Sequence, residues 1–378
     1  MANSREILLK LVRLAMGWES DYTLPEDINW DEVIDMSSEQ GITAIILDGY
    51  ENLTRNNPDA IGWLNSKNNK TLLLQAIGQV QIIESTYYQH VEALKELGKV
   101  LGKWKISFTL MKGFSCGQYY PIPKHRSCGD IDIFPGQNFD SSNLALTAEG
   151  IKVEPDYYRH TVSYVKGVMV ENHCVLCDLR GPISQTKALE EQLEEEGNKS
   201  IIGGRDVNID GVPIVGAKYP TANFHALFLP WHVSAHFMFE RVTIRQLLDW
   251  ALFIKNEGKN IDYVWFKEAK KKYTYGYSKF ADLLTALSLK YLNLPTDDIP
   301  LTIISDAKHI DEKLVDRVFN YIFEGQPKEK HENIWKKRIS NVKRIWKERW
   351  KYRACYDMSI FRFLFYKGVG AIFNIGNK

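Results

Sequence analysis

The chain has 378 residues, 44% hydrophobic and 25% charged, with 48 Lys plus Arg against 47 Asp plus Glu. That length exceeds one ordinary core and suits two or three packed regions, while the even charge balance excludes a protein recruited to polyanions by net charge. Five cysteines, an odd number in a large chain, exclude a disulfide scaffold and make a reducing compartment, the cytoplasm, the expected location.

The opening stretch "SREILLKLVRLAMG" spaces its apolar residues as a helix does, and its scattered charges separate it from a signal peptide. "DINWDEVIDMSSEQGITAIILDGYENL" predicts two short helices, and "NKTLLLQAIGQVQIIESTYYQHVEALKELGKVLGKW" a long one. The period then changes. "ISFTLM" reads as a strand, Lys112-Gly113 as a turn, "FSCGQYY" as a short helix and "GDIDIF" as a second strand. "NFDSSNLALTAEG" predicts a helix, and "YYRHTVSYV" and "VMVENHCVLCDL" two strands joined at Lys166-Gly167. "KALEEQLEEEGNKS" reads as an acidic exposed helix, an insertion or link, and "RDVNIDGVPIVG" as a hairpin turning at Asp210-Gly211. Beyond Pro220 the pattern is helical to the end. No uncharged stretch approaches the roughly 20 residues that span a bilayer.

The expected fold is therefore α+β, a small mixed sheet between helical flanks: residues 1–100 helical, 101–218 the sheet-bearing core, and 219–378 a helical domain.

Asp130 and Asp132 lie two apart in a strand, so both side chains face one way while Ile131 and Ile133 face the core. Like charges so placed repel, and a bound cation stabilises them best; magnesium suits carboxylate oxygens and shares its shell with phosphates. On the strand "VMVENHCVL", Glu171 and His173 share a face, which makes Glu171 the candidate third ligand of a two-ion site.

The order strand, Gly turn, short helix, "DID" strand and later carboxylate resembles the polymerase-β-like nucleotidyltransferase superfamily. More narrowly, "LMKGFSCGQYYPIPKHRSCGDIDIF", "VENH" and "HVSAHFMFERVTIRQLLDW" are together similar to a bacterial family of uncharacterised nucleotidyltransferases, over roughly residues 75 to 255. The resemblance implies an enzyme that moves an NMP from an NTP to a hydroxyl and releases pyrophosphate, with two Mg2+ ions. It implies that Asp130 and Asp132 bind the ions and that Glu171 joins them or activates the acceptor. It also implies that Lys112, Gly113 and Ser115 form a triphosphate turn and that Arg126 contacts phosphate. Phe114 departs from the superfamily, which usually has a small residue there. Arg126 as an ion-pair partner of Asp130, and Lys112 as a surface lysine, are the plainer alternatives.

His232 and His236 lie four apart on one helical face, with Asp249 on the next helix. The metalloprotease form of that spacing needs Glu where Val233 stands, so a zinc hydrolase is not expected. The resemblance implies instead that these residues and His173 line the acceptor or nucleotide pocket; a buried polar network tying His232, His236, Arg245 and Asp249 together is the alternative. Cys174 and Cys177 form one C-x-x-C without the second pair that zinc needs. From Trp335 to Arg353, "WKKRISNVKRIWKERWKYR" carries an apolar stripe edged with basic residues, read as docking on the protein or contacting nucleic acid or a membrane. Two other functions fit a D-x-D: a glycosyltransferase, which needs a longer alternating unit before the motif, and a non-catalytic nucleotide-binding regulator or antitoxin.

Overall fold

The computed structural model describes residues 3–20, 23–25, 27–56, 67–156, 159–177, 183–239, 241–272, 278–324, 343–352 and 359–365. Strands β1 (Phe108–Met111), β2 (Ile131–Phe134), β3 (Val153–Asp156), β4 (His160–Val165), β5 (Val168–His173), β6 (Asp206–Ile209) and β7 (Val212–Lys218) form one mixed sheet in the order β3-β4-β5-β2-β1-β7-β6. β2 runs parallel to β5 and β1 parallel to β7; the other pairs are antiparallel. The fold is α+β, as the pattern of elements predicts. Strand β3 is additional to those read from sequence; Glu154 and Pro155 mask it, and it lies at the sheet edge, where proline is tolerated.

Helices precede the sheet as α1 (Ser4–Ala15), α2 (Trp30–Gln40), α3 (Thr43–Asn56) and α4 (Lys67–Lys103). Within it come α5 (Lys112–Cys116), α6 (Phe139–Ala148) and α7 (Ile183–Gly203). After it come α8 (Ala222–Phe239), α9 (Ile244–Glu257), α10 (Tyr263–Lys272), α11 (Ser278–Tyr291), α12 (Leu301–Lys308) and α13 (Glu312–Phe323). Among the described residues, no helix is long and apolar enough to cross a membrane.

The sheet separates two cores. On one face Phe108, Leu110, Ile131, Ile133 and Val170 pack with Leu94, Leu97, Val100 and Leu101 of α4, whose three- and four-residue spacing makes that stripe. The other face carries Thr109, Met111, Asp132 and Phe134, paired across β1 and β2, and meets α7, which in turn packs on α8. Each large apolar side chain so buried contributes about 1.5–3 kcal/mol. The second core also takes in α1 to α3 and the C-terminal helices: Arg13 donates to the carbonyl of Tyr291, and Gln40 to that of Ile322. Segments far apart in sequence thus close one core.

Helix α7 is not the exposed link its acidic sequence predicts. Leu189 and Leu193 are fully buried, and Thr109 donates to the carbonyl of Gly197 at 3.2 Å. A Cβ on Gly197 would stand 2.6 Å from the Phe134 ring, so only glycine permits that approach. Strand β5 also ends earlier than predicted, at His173. Past it, the Arg159 carbonyl takes the N–H groups of Cys174 and Val175, and Glu190 of α7 takes those of Leu176 and Cys177. The backbone is satisfied without a ladder.

His125, in the loop before β2, clamps the N-terminal helices. Nδ1 meets the Asp48 carboxylate of α3 at 2.8 Å, and Nε2 meets Glu84 of α4 at 2.9 Å. Burial opposes its charge, but the bonds to Asp48 and Glu84 outweigh it and raise its pKa above the ordinary imidazole value.

Candidate active site

The turn after β1 is where the chain departs from regular geometry. Lys112 takes φ 28°, in the left-handed region that non-glycine residues avoid at a cost of order 1–3 kcal/mol. A Cβ on Gly113 would press to 3.2 Å from Cys128 Sγ, so the next position favours glycine. The strained turn coincides with an ion pair between the Lys112 ammonium and Asp132 Oδ1, 2.9 Å apart. Lys112 is therefore not a surface lysine.

Asp132 is 1% exposed and central to the site. Register aligns it with Met111 on β1 and Glu171 on β5. Asp130 precedes β2 by one residue. One ligand atom from each of Asp130, Asp132 and Glu171 falls within 4.8 Å of the others, so the three acids read from sequence do converge. His173 Nε2 donates to Asp132 Oδ1 at 2.9 Å and lies 3.2 Å from Glu171 Oε2. Asp132 Oδ2 has no hydrogen-bond partner among the described residues.

These contacts pull the charges in opposite directions. Burial works against the Asp132 carboxylate, but Lys112 and His173 outweigh it and hold its pKa far below the usual range. Burial and then Asp132 push Asp130 up. Lys112, although desolvated, is raised by Asp132, Asp130 and Glu171, and His173, likewise buried, by its bonds to Asp132 and Glu171. A carboxylate held ionised beside one that resists ionisation is a common property of sites that bind cations or move protons.

The other residues singled out from sequence divide into three groups. Ser115 is fully buried; its hydroxyl donates to the Lys112 carbonyl at 2.8 Å and lies 3.4 Å from His225 Nε2, so it braces the turn from the core side. Arg126 does not pair with Asp130. Its Nε and Nη2 bond the two oxygens of Asp249 at 3.1 and 2.6 Å, and Nη1 bonds the Ser127 carbonyl at 3.0 Å. Tyr120 completes Asp249 at 2.8 Å, and Arg245 bonds Ser127. Asp249 is consequently part of a closed buried network. His232 and His236 face each other through their Nε2 atoms at 3.0 Å. Burial, followed by Lys112 and His236, drives His232 well below the ordinary imidazole value. The His232–His236 contact and the Arg126–Asp249 pair with Arg245 on Ser127 bear on the alternative of one network: Asp249 bonds Arg126 and Tyr120, and the two histidines bond each other.

Phe114 stacks on Tyr87 of α4, centroids 5.3 Å apart and planes at 15°, and faces His90 at 6.1 Å. It fills a core slot behind the turn, which accounts for a large residue there. His160 of β4 escaped the sequence reading; its ring lies 4.9 Å from that of His173. The signal was present, because counting outward from the Lys166-Gly167 turn pairs His160 with His173. Cys174 donates to the Arg159 carbonyl and Cys177 is buried; no metal-binding group among the described residues includes either.

Of the basic C-terminal segment, Trp335, Ile339 and Val342 lie outside the described residues. In 343–352, Trp350 meets the rings of Phe237 and Tyr321, with the Arg317 guanidinium 4.1 Å above it. Lys351 is buried and donates to the Phe237 carbonyl and the Tyr321 hydroxyl. That part docks on α8 and α13. Trp346 stays half exposed.

A family model described as an uncharacterised nucleotidyltransferase matches residues 26–292. The match covers well over half of the chain, and the chain belongs to that family. No curated protein and no solved structure matches it.

Proposed function

We propose that the chain is a Mg2+-dependent enzyme that transfers an NMP from an NTP to a hydroxyl acceptor, with release of pyrophosphate. The observation that carries this reading is the convergence of Asp130, Asp132 and Glu171 within 4.8 Å on the face of the sheet that also holds Lys112. Their donor set is all carboxylate, which fits magnesium, and Asp132 Oδ2 is a buried acceptor with no partner among the described residues. Bound by these acids, Mg2+ supplies the positive charge that offsets the triphosphate and the developing charge of the transition state.

The rest of the chemistry is assigned to the chain's own groups. Lys112, strained into place and paired with Asp132, is the cation assigned to the phosphate position. Glu171, partly exposed while Asp132 is not, is the group that reaches an acceptor hydroxyl and holds its proton as the oxygen attacks the α-phosphate. Arg126 acts from behind, fixing the loop that carries Asp130. The long helix α4 stands where a D-x-D glycosyltransferase needs an alternating nucleotide-binding unit, which disfavours that alternative.

The test is turnover of each labelled NTP with Mg2+ by wild-type protein and by the Asp130→Asn, Asp132→Asn double variant. Metal-dependent NTP binding and turnover should vanish in the variant. Activity unchanged by the two substitutions would sink the mechanism.

A further inference from the structure

The geometry points to a second metal site beside the carboxylate trio, formed by His160, Glu171 and His173 and suited to Mn2+, Co2+ or Zn2+ rather than Mg2+. It adds a second metal position to the transfer reading, and rests on that reading only for what Glu171 does in catalysis.

The hairpin builds the site. Residues opposite one another in an antiparallel pair share a face, and β4 and β5 place His160 opposite His173 and Val162 opposite Glu171. Both imidazoles and the carboxylate therefore stand on the same side of the sheet as Asp132. His173 Nε2 is 3.2 Å from Glu171 Oε2, and His160 Nε2 is 3.8 Å from Glu171 Oε1. One donor atom from each of the three lies within 4.8 Å of the others. An ion bonded at about 2.1 Å sits between donors separated by up to about 4 Å, so small side-chain rotations close the site.

Donor chemistry decides which ion. Magnesium is reluctant to exchange oxygen ligands for nitrogen, whereas affinity for imidazole rises from Mn2+ towards the later first-row metals. Asp130, Asp132 and Glu171 offer oxygen alone; His160, Glu171 and His173 offer two nitrogens and a carboxylate. Glu171 belongs to both groups, one oxygen turned to each histidine, and can bridge two ions. Asp132 stands beside this site and not in it: its Oδ1 takes both Lys112 and His173. An ion held through His173 Nε2 would replace the proton that nitrogen donates to Asp132, the proton leaving to solvent and the ring keeping its Nδ1–H, while Lys112 would keep its bond to Oδ1.

The test uses the full chain without nucleotide. Mn2+ is added in the presence of excess Mg2+, and pulsed electron paramagnetic resonance reads nitrogen couplings to the bound ion. Wild-type protein should show imidazole nitrogen on Mn2+, and His160→Gln should weaken Mn2+ binding at least ~10-fold, the lower end of the loss seen when metal-site partners are removed. An oxygen-only spectrum in the wild type overturns the site, whether or not the variant folds. Unchanged Mn2+ affinity in a His160→Gln protein of native circular dichroism overturns it as well. The two readings separate cleanly: NTP turnover with an oxygen-only spectrum refutes the histidine site alone, and nitrogen coupling in a protein that turns over no NTP refutes the transfer reading alone.

Discussion

The stretch from Met111 to Asp132 joins two buried charge clusters that are built on opposite principles. Around Asp249 the carboxylate itself is saturated: Arg126 grips both oxygens, Tyr120 adds a third bond, and Arg245 holds the adjacent Ser127. Around Asp132 the charges do not close. Three acids face one lysine and one histidine, one acid resists ionisation, and a buried oxygen has no partner among the described residues. A saturated network is a strut, because any change to it costs stability; an unsaturated one has capacity left for a ligand.

The largest effect is expected at the strut. Arg126→Ala leaves Asp249 buried and unpaired and should cost about 3–5 kcal/mol in chemical denaturation, whereas replacing both by apolar residues, Arg126→Met with Asp249→Leu, should recover most of that loss. If the single substitution proves harmless, Asp249 is not the closed network described. Next in size is Asp130→Asn, which should reduce NTP turnover ~10²-fold, equivalent to about 2.7 kcal/mol, while leaving the melting temperature in chelator unchanged or higher. The second part follows from the sign of its shift: burial and Asp132 disfavour the charged form, so the neutral amide relieves repulsion. A marked drop in melting temperature would contradict that account. Phe114→Leu keeps the apolar bulk but loses the stack on Tyr87 and His90, and about 1 kcal/mol of stability should go with it, measured by denaturant midpoint.

The smallest effect is a pH dependence at the His125 clamp. Because the folded pKa lies above the ordinary 6.5, the stabilisation is fully present below about pH 6.5 and is lost as pH rises through the folded value. Melting curves of wild type and His125→Gln should therefore differ most on the acid side of that window and converge above it. Parallel curves at every pH would mean that Asp48 and Glu84 do not hold the proton.

Much of the site was legible because strand periodicity is local. Asp130 and Asp132 share a face by their spacing, Glu171 and His173 by theirs, and the turn glycine announces itself. The Lys166-Gly167 turn, with positive φ at both residues, even determines the register that pairs His160 with His173, although nothing in the sequence marks that histidine as special. Arg126 and Asp249 were visible as charged residues, but their pairing spans 123 positions and two elements, so no periodicity could disclose it. Helix α7 misled for a related reason: its acidic surface dominates the composition, while the few residues that bury it, Leu189, Leu193 and Gly197, find their partners only across the sheet.

By itself the sequence determined the order of elements apart from β3, the face on which the acids stand, and the family to which the chain is similar, since each depends on spacing along one segment. Tertiary structure alone decided that helices from both ends of the chain share a core, that Arg126 pairs with Asp249 rather than with Asp130, and that Lys112 is the buried cation beside Asp132. Those outcomes depend on which buried charges meet, and burial makes each meeting worth several kcal/mol only once distant segments have closed around it.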